Sequence, residues 1–399
     1  MAPARLKVVI IGGSVAGPTL CHTFASTNGL IDYTLLEGRD KFAPALGASI
    51  LSMPNGARIL DQSGLFDDLK RVGSEINTAI TSKSDGEFLH KSEWPMLIRE
   101  RLGYGIECFS RQNLLNVLHD RLEQKQKDKM FLNKRVFEIV DGDDAVTVRC
   151  ADGSSYSGDI VIGADGIHSI VRKEMQRIAH QSKLGLMQVD EKGFFASKVD
   201  CKYTSPNIPR FTVADELRVI AEQGDFQFAP GVTLKMLFEN TTQNTSLLAL
   251  EEANFKYWSW GRMVCVGDSA HKMTPNIGQG GNQAIESAAA LTNCLMEALS
   301  TSAQKPTLPA LQAAFDKYQE TRWERSKFFT NISGLTTRDH ANAELHHTIR
   351  LLFMEPPSAE SMTGCEGSGT WGCANFVKTA AFARPGLLDQ GCLIMQVGV

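Results

Sequence analysis

The segment Gly12-Gly13-Ser14-Val15-Ala16-Gly17 follows directly on an apolar run at residues 7–11 and precedes a helical pattern. A short β-branched run predicts a buried parallel strand, and glycines between such a strand and a helix are typical of a dinucleotide-binding turn. Gly12 is expected to make the tight turn, and Gly17 to allow the helix to approach the strand. Ser14 stands where a second glycine is usual, which weakens the motif taken alone.

A second apolar run, residues 33–36, ends at Glu37. Glu37 lies 20 residues after Gly17, where a dinucleotide-binding fold places the acid that binds the adenosine ribose hydroxyls. Arg39 follows and either flanks the adenosine or remains a solvated surface charge. Strand, helix and acid together favour a bound nucleotide over a glycine-rich turn without a ligand.

The composition is that of an ordinary globular protein. The 399 residues are 43% hydrophobic and 22% charged, with a net charge of −4, so no basic surface for nucleic acid is expected. The sequence contains no apolar run long enough to span a bilayer, although peripheral membrane contact stays open. Nine scattered cysteines without a CxxC pair predict free thiols in the cytoplasm, no disulfide framework and no metal site.

Two further segments place an aspartate at the end of a predicted strand. Residues 159–164 read as a strand followed by Asp165, and residues 263–267 read as a strand followed by Asp268. Ligands of open α/β sheets gather at the carboxyl ends of the strands, so both aspartates are candidate ligand contacts. A glycine-rich loop then leads to a helix from about Asn282, whose N-terminal amides would stabilise negative charge.

The three segments, in this order, resemble single-component FAD-dependent monooxygenases of the aromatic-hydroxylase type. Within that class the chain is most similar to fungal enzymes that epoxidise prenyl chains of meroterpenoids and indole diterpenes. The resemblance covers residues 8–325 and is most specific at residues 271–280, His-Lys-Met-Thr-Pro-Asn-Ile-Gly-Gln-Gly. It implies one noncovalent FAD, NADPH as a transient reductant, and these FAD contacts: Gly12, Gly13, Ser14, Ala16, Gly17, Glu37, Arg39, Ala48, Leu51, Arg111, Val136, Asp165, Asp268, Pro275, Gly278, Gly280, Gly281 and Asn282.

The resemblance also implies an α/β fold, in which a Rossmann-type FAD-binding domain carries a smaller, shortened β-sheet substrate domain. The FAD-binding domain is predicted at 1–75, 100–172 and 258–345, the substrate domain at 76–99 and 173–257, and a C-terminal extension at 346–399. In the substrate domain, residues 192–197 and 232–238 are predicted strands. A shortened domain would shield the flavin less, and the oxygenating species decays to hydrogen peroxide when water reaches it.

Several side chains in and around these motifs have individual expected roles. Arg111 opens an amphipathic helix, and its family counterpart reaches the flavin or the pyrophosphate. Leu51 stands where the family has a glycine beside the flavin. His271 is interpreted as a structural neighbour of the flavin loop, and no catalytic side chain is assigned. Core packing is favoured over a substrate cage for the aromatic cluster of Phe255, Tyr257, Trp258 and Trp260.

Three functions are compatible with these observations. In the first, NADPH and dioxygen serve to epoxidise or hydroxylate an apolar terpenoid, and epoxidation is favoured because it needs no protein base and no acid–base pair is evident. In the second, the flavoprotein fold isomerises or cyclises a terpenoid without net redox change. The third, a nucleotide-binding structural subunit, is disfavoured because the FAD segments are kept throughout. Candidate residues for an apolar substrate pocket are Phe194, Phe195, Phe211 and Phe228.

Overall fold

The computed structural model describes residues 5–44, 49–82, 88–182, 193–195, 202–204, 210–229, 231–240, 250–300 and 304–340. The strands are β1 (Leu6–Ile11), β2 (Ile31–Leu36), β3 (Ser49–Ser52), β4 (Ser74–Ile76), β5 (Ala79–Ser82), β6 (Phe88–Ser92), β7 (Ile106–Ser110), β8 (Met130–Phe131), β9 (Val136–Asp141), β10 (Val146–Cys150), β11 (Ser155–Gly158), β12 (Ile160–Gly163), β13 (Gly193–Phe195), β14 (Lys202–Thr204), β15 (Gln227–Ala229), β16 (Val232–Thr233), β17 (Leu250–Asn254), β18 (Ser259–Trp260), β19 (Met263–Cys265) and β20 (His271–Lys272). The helices are α1 (Ala16–Ala25), α2 (Pro54–Gln62), α3 (Phe66–Val72), α4 (Trp94–Leu102), α5 (Arg111–Asp120), α6 (Gln124–Lys127), α7 (Ile170–Ser182), α8 (Val213–Gln223), α9 (Leu234–Asn240), α10 (Gly280–Ser300) and α11 (Leu308–His340).

A six-stranded sheet with the order β18-β19-β12-β1-β2-β8 forms the centre of the fold. All neighbouring strands in it are parallel except β18, which runs antiparallel to β19. Helix α1 packs on β2, and α7 packs on β12 and β19, so the central strands are buried and almost wholly apolar, as parallel strands require. The predicted α/β fold with a Rossmann-type parallel sheet is confirmed.

A three-stranded antiparallel sheet, β11-β10-β9, flanks the central sheet, and α7 packs between them on β9. The domain boundary predicted at residue 172 therefore falls inside α7. Because α7 contacts β9, β12 and β19, this helix belongs structurally to the central sheet rather than to the segment that follows it.

A second antiparallel sheet, hereafter the small sheet, has the order β14-β13-β17-β20. Strand β13 lies in the predicted strand at 192–197. The strand predicted at 232–238 is wrong after Thr233, because Leu234–Asn240 is a helix. Leu234, Leu237 and Phe238 have helical spacing, and the amide of Met236 donates to the Thr233 hydroxyl (3.2 Å), which caps the first turn.

The aromatic cluster lies in the core, as the sequence predicts. Phe255 and Trp258 are fully buried, and Tyr257 and Trp260 pack against the same core. The Trp258 indole contacts the rings of Tyr318 and His271 and donates to the carbonyl of Phe255 (2.8 Å). None of the described helices combines the length and apolar character needed to cross a bilayer.

Candidate functional site

The three sequence segments meet at one edge of the central sheet. Strands β1, β12 and β19 are parallel neighbours, and their last residues, Ile11, Gly163 and Cys265, lie side by side. Backbone hydrogen bonds continue past the strand ends, from the Ala164 amide to Ile11 (2.8 Å) and from the Val266 amide to Gly163 (2.9 Å). The turns that carry Gly12, Asp165 and Asp268 therefore converge where open α/β sheets bind ligands.

The glycine turn has no room for side chains at two positions. Gly12 has φ +110°, and a Cβ added there would overlap the carbonyl oxygen of Ala164. A Cβ added to Gly17 would overlap the carbonyl oxygen of Gly12. Because both obstacles are backbone atoms that cannot move aside, glycine is required for α1 to begin close to the turn.

Glu37 is fixed beside this turn at the end of β2. Its Oε2 accepts from the amide of Gly13 (2.6 Å), and its Oε1 accepts from the amide of Arg39 (2.9 Å). Each carboxylate oxygen has a further lone pair, so Glu37 can still accept from ribose hydroxyls. Arg39 itself is exposed.

Ser14 and Arg111 are hydrogen-bonded across the turn. Arg111 is the first residue of α5, whose N-cap Ser110 accepts from the amide of Asn113, and its Nη2 donates to the Ser14 hydroxyl (2.7 Å). Burial, and then repulsion from Arg39, lowers the pKa of Arg111. The serine that departs from the glycine motif thus holds a guanidinium at the glycine turn, a pairing that the sequence analysis missed.

Asp268 lies in a short 3-10 turn, Gly267–Ser269, directly after β19. Its Oδ2 accepts from the ammonium of Lys272 (2.7 Å), and this carboxylate is the main cause of the raised pKa of Lys272. Lys272 was not among the predicted contacts, although it lies within the most specific motif of the chain.

The glycine loop before α10 is clamped by Asn282. The Asn282 Oδ1 accepts from the Met53 amide (2.9 Å), and its Nδ2 donates to the carbonyls of Leu51 and Gly278 (2.7 Å each). The side chain is buried, so a cofactor contact by Asn282 is restricted to its backbone. The Leu51 side chain fills the space beside Gly278, where an added Cβ would lie 2.9 Å from Leu51 Cδ1.

Two features of this edge fit a ligand. A Cβ added to Gly280, the first residue of α10, meets no atom of the described residues within 4 Å, so this part of the structure leaves room at the helix N-terminus. The Oδ2 of Asp165 caps α7 by accepting from the amides of Ile170 (2.7 Å) and Val171 (3.2 Å). The Asp165 Oδ1 is buried, has no partner among the described residues, and can accept from a ligand donor.

The other predicted contacts are distributed around the same edge. Ala16 begins α1, Pro275 opens the 3-10 turn Pro275–Ile277, and Gly281 is the second residue of α10. Val136 begins β9 and is buried close to Glu37, whose carbonyl accepts from the amide of Lys134. Ala48, the extension predicted at 346–399, and the side chains of Phe194, Phe195 and Phe228 lie outside the described residues, whereas Phe211 is half-buried next to the N-cap of α8.

His271 is held as a neutral structural side chain. It is fully buried, its Nε2 lies 2.8 Å from the Ser287 hydroxyl, and its ring packs against Trp258. Burial lowers the pKa of His271 to about 3. A group that stays neutral in this way supports the interpretation that His271 is not an acid–base catalyst.

Known families and relatives identify this arrangement. The sequence matches the family described as FAD binding domain over residues 5–205 and 232–327. The chain belongs to this family. Among curated fungal relatives, the FAD-dependent monooxygenase janM of Penicillium janthinellum is 36% identical, with 89% of this chain and 82% of that protein aligned. The FAD-dependent monooxygenase prhF of Penicillium brasilianum is 35% identical, with 87% and 81% aligned.

A further relative is longer than this chain. The FAD-dependent monooxygenase verC1 of Penicillium polonicum is 36% identical over 83% of this chain, and the chain spans only 46% of that protein. These relatives confirm the predicted family of FAD-dependent monooxygenases, and FAD as the cofactor.

Solved structures agree on the fold. HpxO from Klebsiella pneumoniae, complexed with FAD and uric acid, superposes with a TM-score of 0.67 at 20% identity, covering 94% of this chain and 97% of that one. CtdE, complexed with FAD and a substrate, has a TM-score of 0.62 at 16% identity, covering 85% and 92%. At this identity the likeness establishes the aromatic-hydroxylase-like fold alone.

Proposed function

We propose that this protein is a monooxygenase that uses NADPH and dioxygen to transfer one oxygen atom to a carbon–carbon double bond of a prenylated or terpenoid natural product. The observation that carries the proposal is the convergence of the Gly12, Asp165 and Asp268 turns on one sheet edge. The fungal relatives named FAD-dependent monooxygenases, and the resemblance of residues 271–280 to prenyl epoxidases, support the reaction class. FAD supplies the redox chemistry, which no side chain can provide.

In this proposal the chain's residues bind the two ends of FAD separately. The turn at Gly12–Gly17 and the first amides of α1 bind the pyrophosphate, with Arg111 held beside it by Ser14. Glu37 accepts from the ribose hydroxyls of the adenosine, and Asp268 accepts from the ribityl chain. The N-terminus of α10 at Gly280 stabilises negative charge on the pyrimidine edge of the flavin.

The small sheet supplies the substrate side. Strand β20 belongs to it and also follows directly on the Asp268 turn, so the small sheet joins the FAD edge without a linker. We therefore propose the predicted discontinuous domains with α7 moved to the FAD-binding part. The sheet excludes water from the flavin, which oxygen transfer requires. The described cysteines are free thiols, which supports the proposed cytoplasmic location.

A redox-neutral isomerisation or cyclisation is the second candidate. It is favoured by the segment 210–240, where α8 and α9 flank the two-stranded β15–β16 hairpin instead of continuing the small sheet. Oxygen transfer is favoured over it because the fungal relatives janM and prhF are named FAD-dependent monooxygenases.

Incubation of the FAD-bound protein with NADPH, candidate terpenoids and isotopically labelled dioxygen tests the reaction. The expected product carries one labelled oxygen, and NADPH is consumed in equal amount. A product that forms anaerobically, or that carries no label, refutes oxygen transfer and favours the redox-neutral reaction.

The cofactor placement is tested by Gly280→Ala. The added methyl group meets none of the described residues within 4 Å, so the thermal stability of the FAD-free protein is expected to stay unchanged. FAD binding is expected to weaken about 10-fold or more, about 1.4 kcal/mol, because the methyl group occupies space assigned to the flavin. Unchanged FAD affinity, measured by flavin fluorescence, contradicts the placement.

A further inference from the structure

We propose that Lys272 and Glu251 form a charged bridge that couples occupancy of the ribityl site to the position of the small sheet. The inference rests on the proposed function in one respect, namely that Asp268 binds the ribityl chain. It adds an energetic coupling between the Asp268 turn and the small sheet, which the proposed function does not include.

The first half of the bridge is the Lys272–Asp268 ion pair. The two residues are four positions apart, on either side of the junction between the 3-10 turn and β20. The Nζ–Oδ2 distance is 2.7 Å, and the Lys272 side chain is 28% exposed. A pair with this limited access to water is screened less than a surface pair, so its charges act on their neighbours.

The second half is Glu251, on the neighbouring strand β17. Strands β17 and β20 are antiparallel, and Ala253 is the direct partner of Lys272. Glu251 lies two residues from Ala253, so it is on the same face of the small sheet as Lys272. Glu251 also contributes to the raised pKa of Lys272, which places the carboxylate within electrostatic reach of the ammonium.

Glu251 continues the bridge to the central sheet at a second point. Its Oε1 lies 3.3 Å from Nε2 of His168, which follows the Asp165–Gly166 turn after β12. The Glu251 side chain is only 10% exposed, and its Oε2 is buried without a hydrogen-bond partner among the described residues. A buried carboxylate of this kind is costly unless positive charge or hydrogen-bond donors face it, and the Lys272 ammonium and the ring nitrogen of His168 are two such neighbours.

Four charged or titratable side chains therefore connect the proposed ribityl site with the turn after β12. Asp268 lies at the ribityl site, Lys272 and Glu251 on strands β20 and β17 of the small sheet, and His168 after the turn. A ligand that hydrogen-bonds to Asp268 changes the field at Lys272, and so changes the electrostatic attraction between Lys272 and Glu251 on β17. By linkage, whatever fixes β17 must in return strengthen binding at Asp268. The sheet that excludes water is thus held most firmly when the cofactor is in place.

A double-mutant cycle with Lys272→Met and Glu251→Gln, read out as the FAD dissociation constant, tests the bridge. Glu251 is not assigned to the FAD contacts, yet Glu251→Gln is expected to weaken FAD binding about 5-fold, at the lower end of typical coupling. In the Lys272→Met background the same change is expected to have no further effect. Lys272→Arg, which keeps the positive charge, should retain most of the affinity.

Hydrogen exchange measures an effect that is not expected if Lys272 only stabilises the fold. Adding FAD to the wild-type protein should increase protection of the amides of Leu250–Asn254, and the increase should be absent in Lys272→Met. Glu252→Gln, on the opposite face of the same strand, is the matched control and should keep the FAD-dependent protection. Melting temperatures of the FAD-free variants show whether each of them is folded.

The outcomes separate the two proposals. If wild-type protein does not bind FAD, the proposed function fails. If the wild-type protein binds FAD but Glu251→Gln has wild-type affinity, the bridge is refuted while the proposed function stands. The same holds if the fold-changes that the two substitutions cause in the FAD dissociation constant simply multiply in the double variant. Loss of FAD-dependent protection in Glu252→Gln as well would also refute it, because the effect would then belong to the strand and not to the charge.

Discussion

Residues at the cofactor edge of the central sheet are tightly constrained by neighbouring atoms, whereas several residues of the segment 210–240 are not. At the edge, an added Cβ at Gly12 or Gly17 collides with backbone, and the Glu37 carboxylate is bound by two amides. In the segment, α8 presents Val213 (71% exposed) and Leu217 (51% exposed) to solvent. At the edge the surrounding backbone leaves no room for a change of side chain, whereas apolar side chains of α8 face solvent and meet no such limit.

The strongest test of this contrast is Gly17→Ala at the edge. The methyl group would overlap the carbonyl oxygen of Gly12, which is held by the turn, so α1 must move away from the pyrophosphate site. FAD affinity is expected to fall by about a thousandfold, about 4 kcal/mol. Gly38→Ala is the matched control, because its Cβ would lie an ordinary 3.7 Å from Arg135 Cα. If FAD titration finds that both variants bind FAD as tightly as the wild-type protein, the contrast between the two regions is contradicted.

The second test removes the charge network beneath the cofactor loop. The Glu286 carboxylate is 11% exposed and accepts hydrogen bonds from Arg322, from Arg325 (2.6 Å) and from Asn55 (2.7 Å). The side-chain amide of Asn55 also donates to Gln279. Glu286→Gln leaves two largely buried guanidiniums without their carboxylate and is expected to lower the free energy of unfolding by about 3 kcal/mol. Urea unfolding measures the loss.

Glu297→Gln on the same helix is its control. Glu297 pairs with Lys317 at the surface, where its side chain is 58% exposed, so less than about 1 kcal/mol is expected. Burial opposes ionisation of Glu286, but Arg322 and Arg325 outweigh it and lower its pKa to about 2. Its folded-state pKa is thus below the unfolded value, and its contribution is present above about pH 4.5 and is lost as the pH falls toward 2. Equal effects of the two substitutions would show that this network does not support the edge.

Part of the edge can be read from the sequence because its contacts are local. Gly17 and Glu37 are constrained by neighbours within the unit β1–α1–β2, so spacing indicates where they lie. Gly12 is constrained by the carbonyl of Ala164 after β12, a contact that spacing does not show. Glu286 was missed because its partners Asn55, Arg322 and Arg325 are distant in the sequence. Lys272 was missed although Asp268 is four residues away, because the sequence does not show that the chain between them brings the ammonium back to the carboxylate. A pattern that reads equally as strand or helix, such as residues 232–238, is decided by a single cap, here Thr233.

A third, smaller test concerns the one motif position that departs from the usual pattern. Ser14→Gly restores the common glycine but removes the hydroxyl that holds Arg111. A hydrogen bond to a charged group contributes about 1.5 kcal/mol, so the dissociation constant of FAD is expected to rise about 10-fold. In an Arg111→Ala background, Ser14→Gly should change nothing further. Tighter FAD binding by Ser14→Gly would contradict a positioning role for the serine.

The smallest effect is expected on the exposed face of α8. Leu217→Gln exchanges a half-exposed leucine for a polar side chain, and such surface substitutions change the free energy of unfolding by less than about 0.5 kcal/mol. Leu234→Ala in α9 is the contrasting variant, because Leu234 is buried and its truncation should cost about 2–5 kcal/mol. Urea unfolding of both variants shows which of the two side chains contributes to packing and which is exposed to solvent. A loss above about 1 kcal/mol in Leu217→Gln would show that this face of α8 is covered in solution, and the segment would then be a contact surface and not a weakly constrained region.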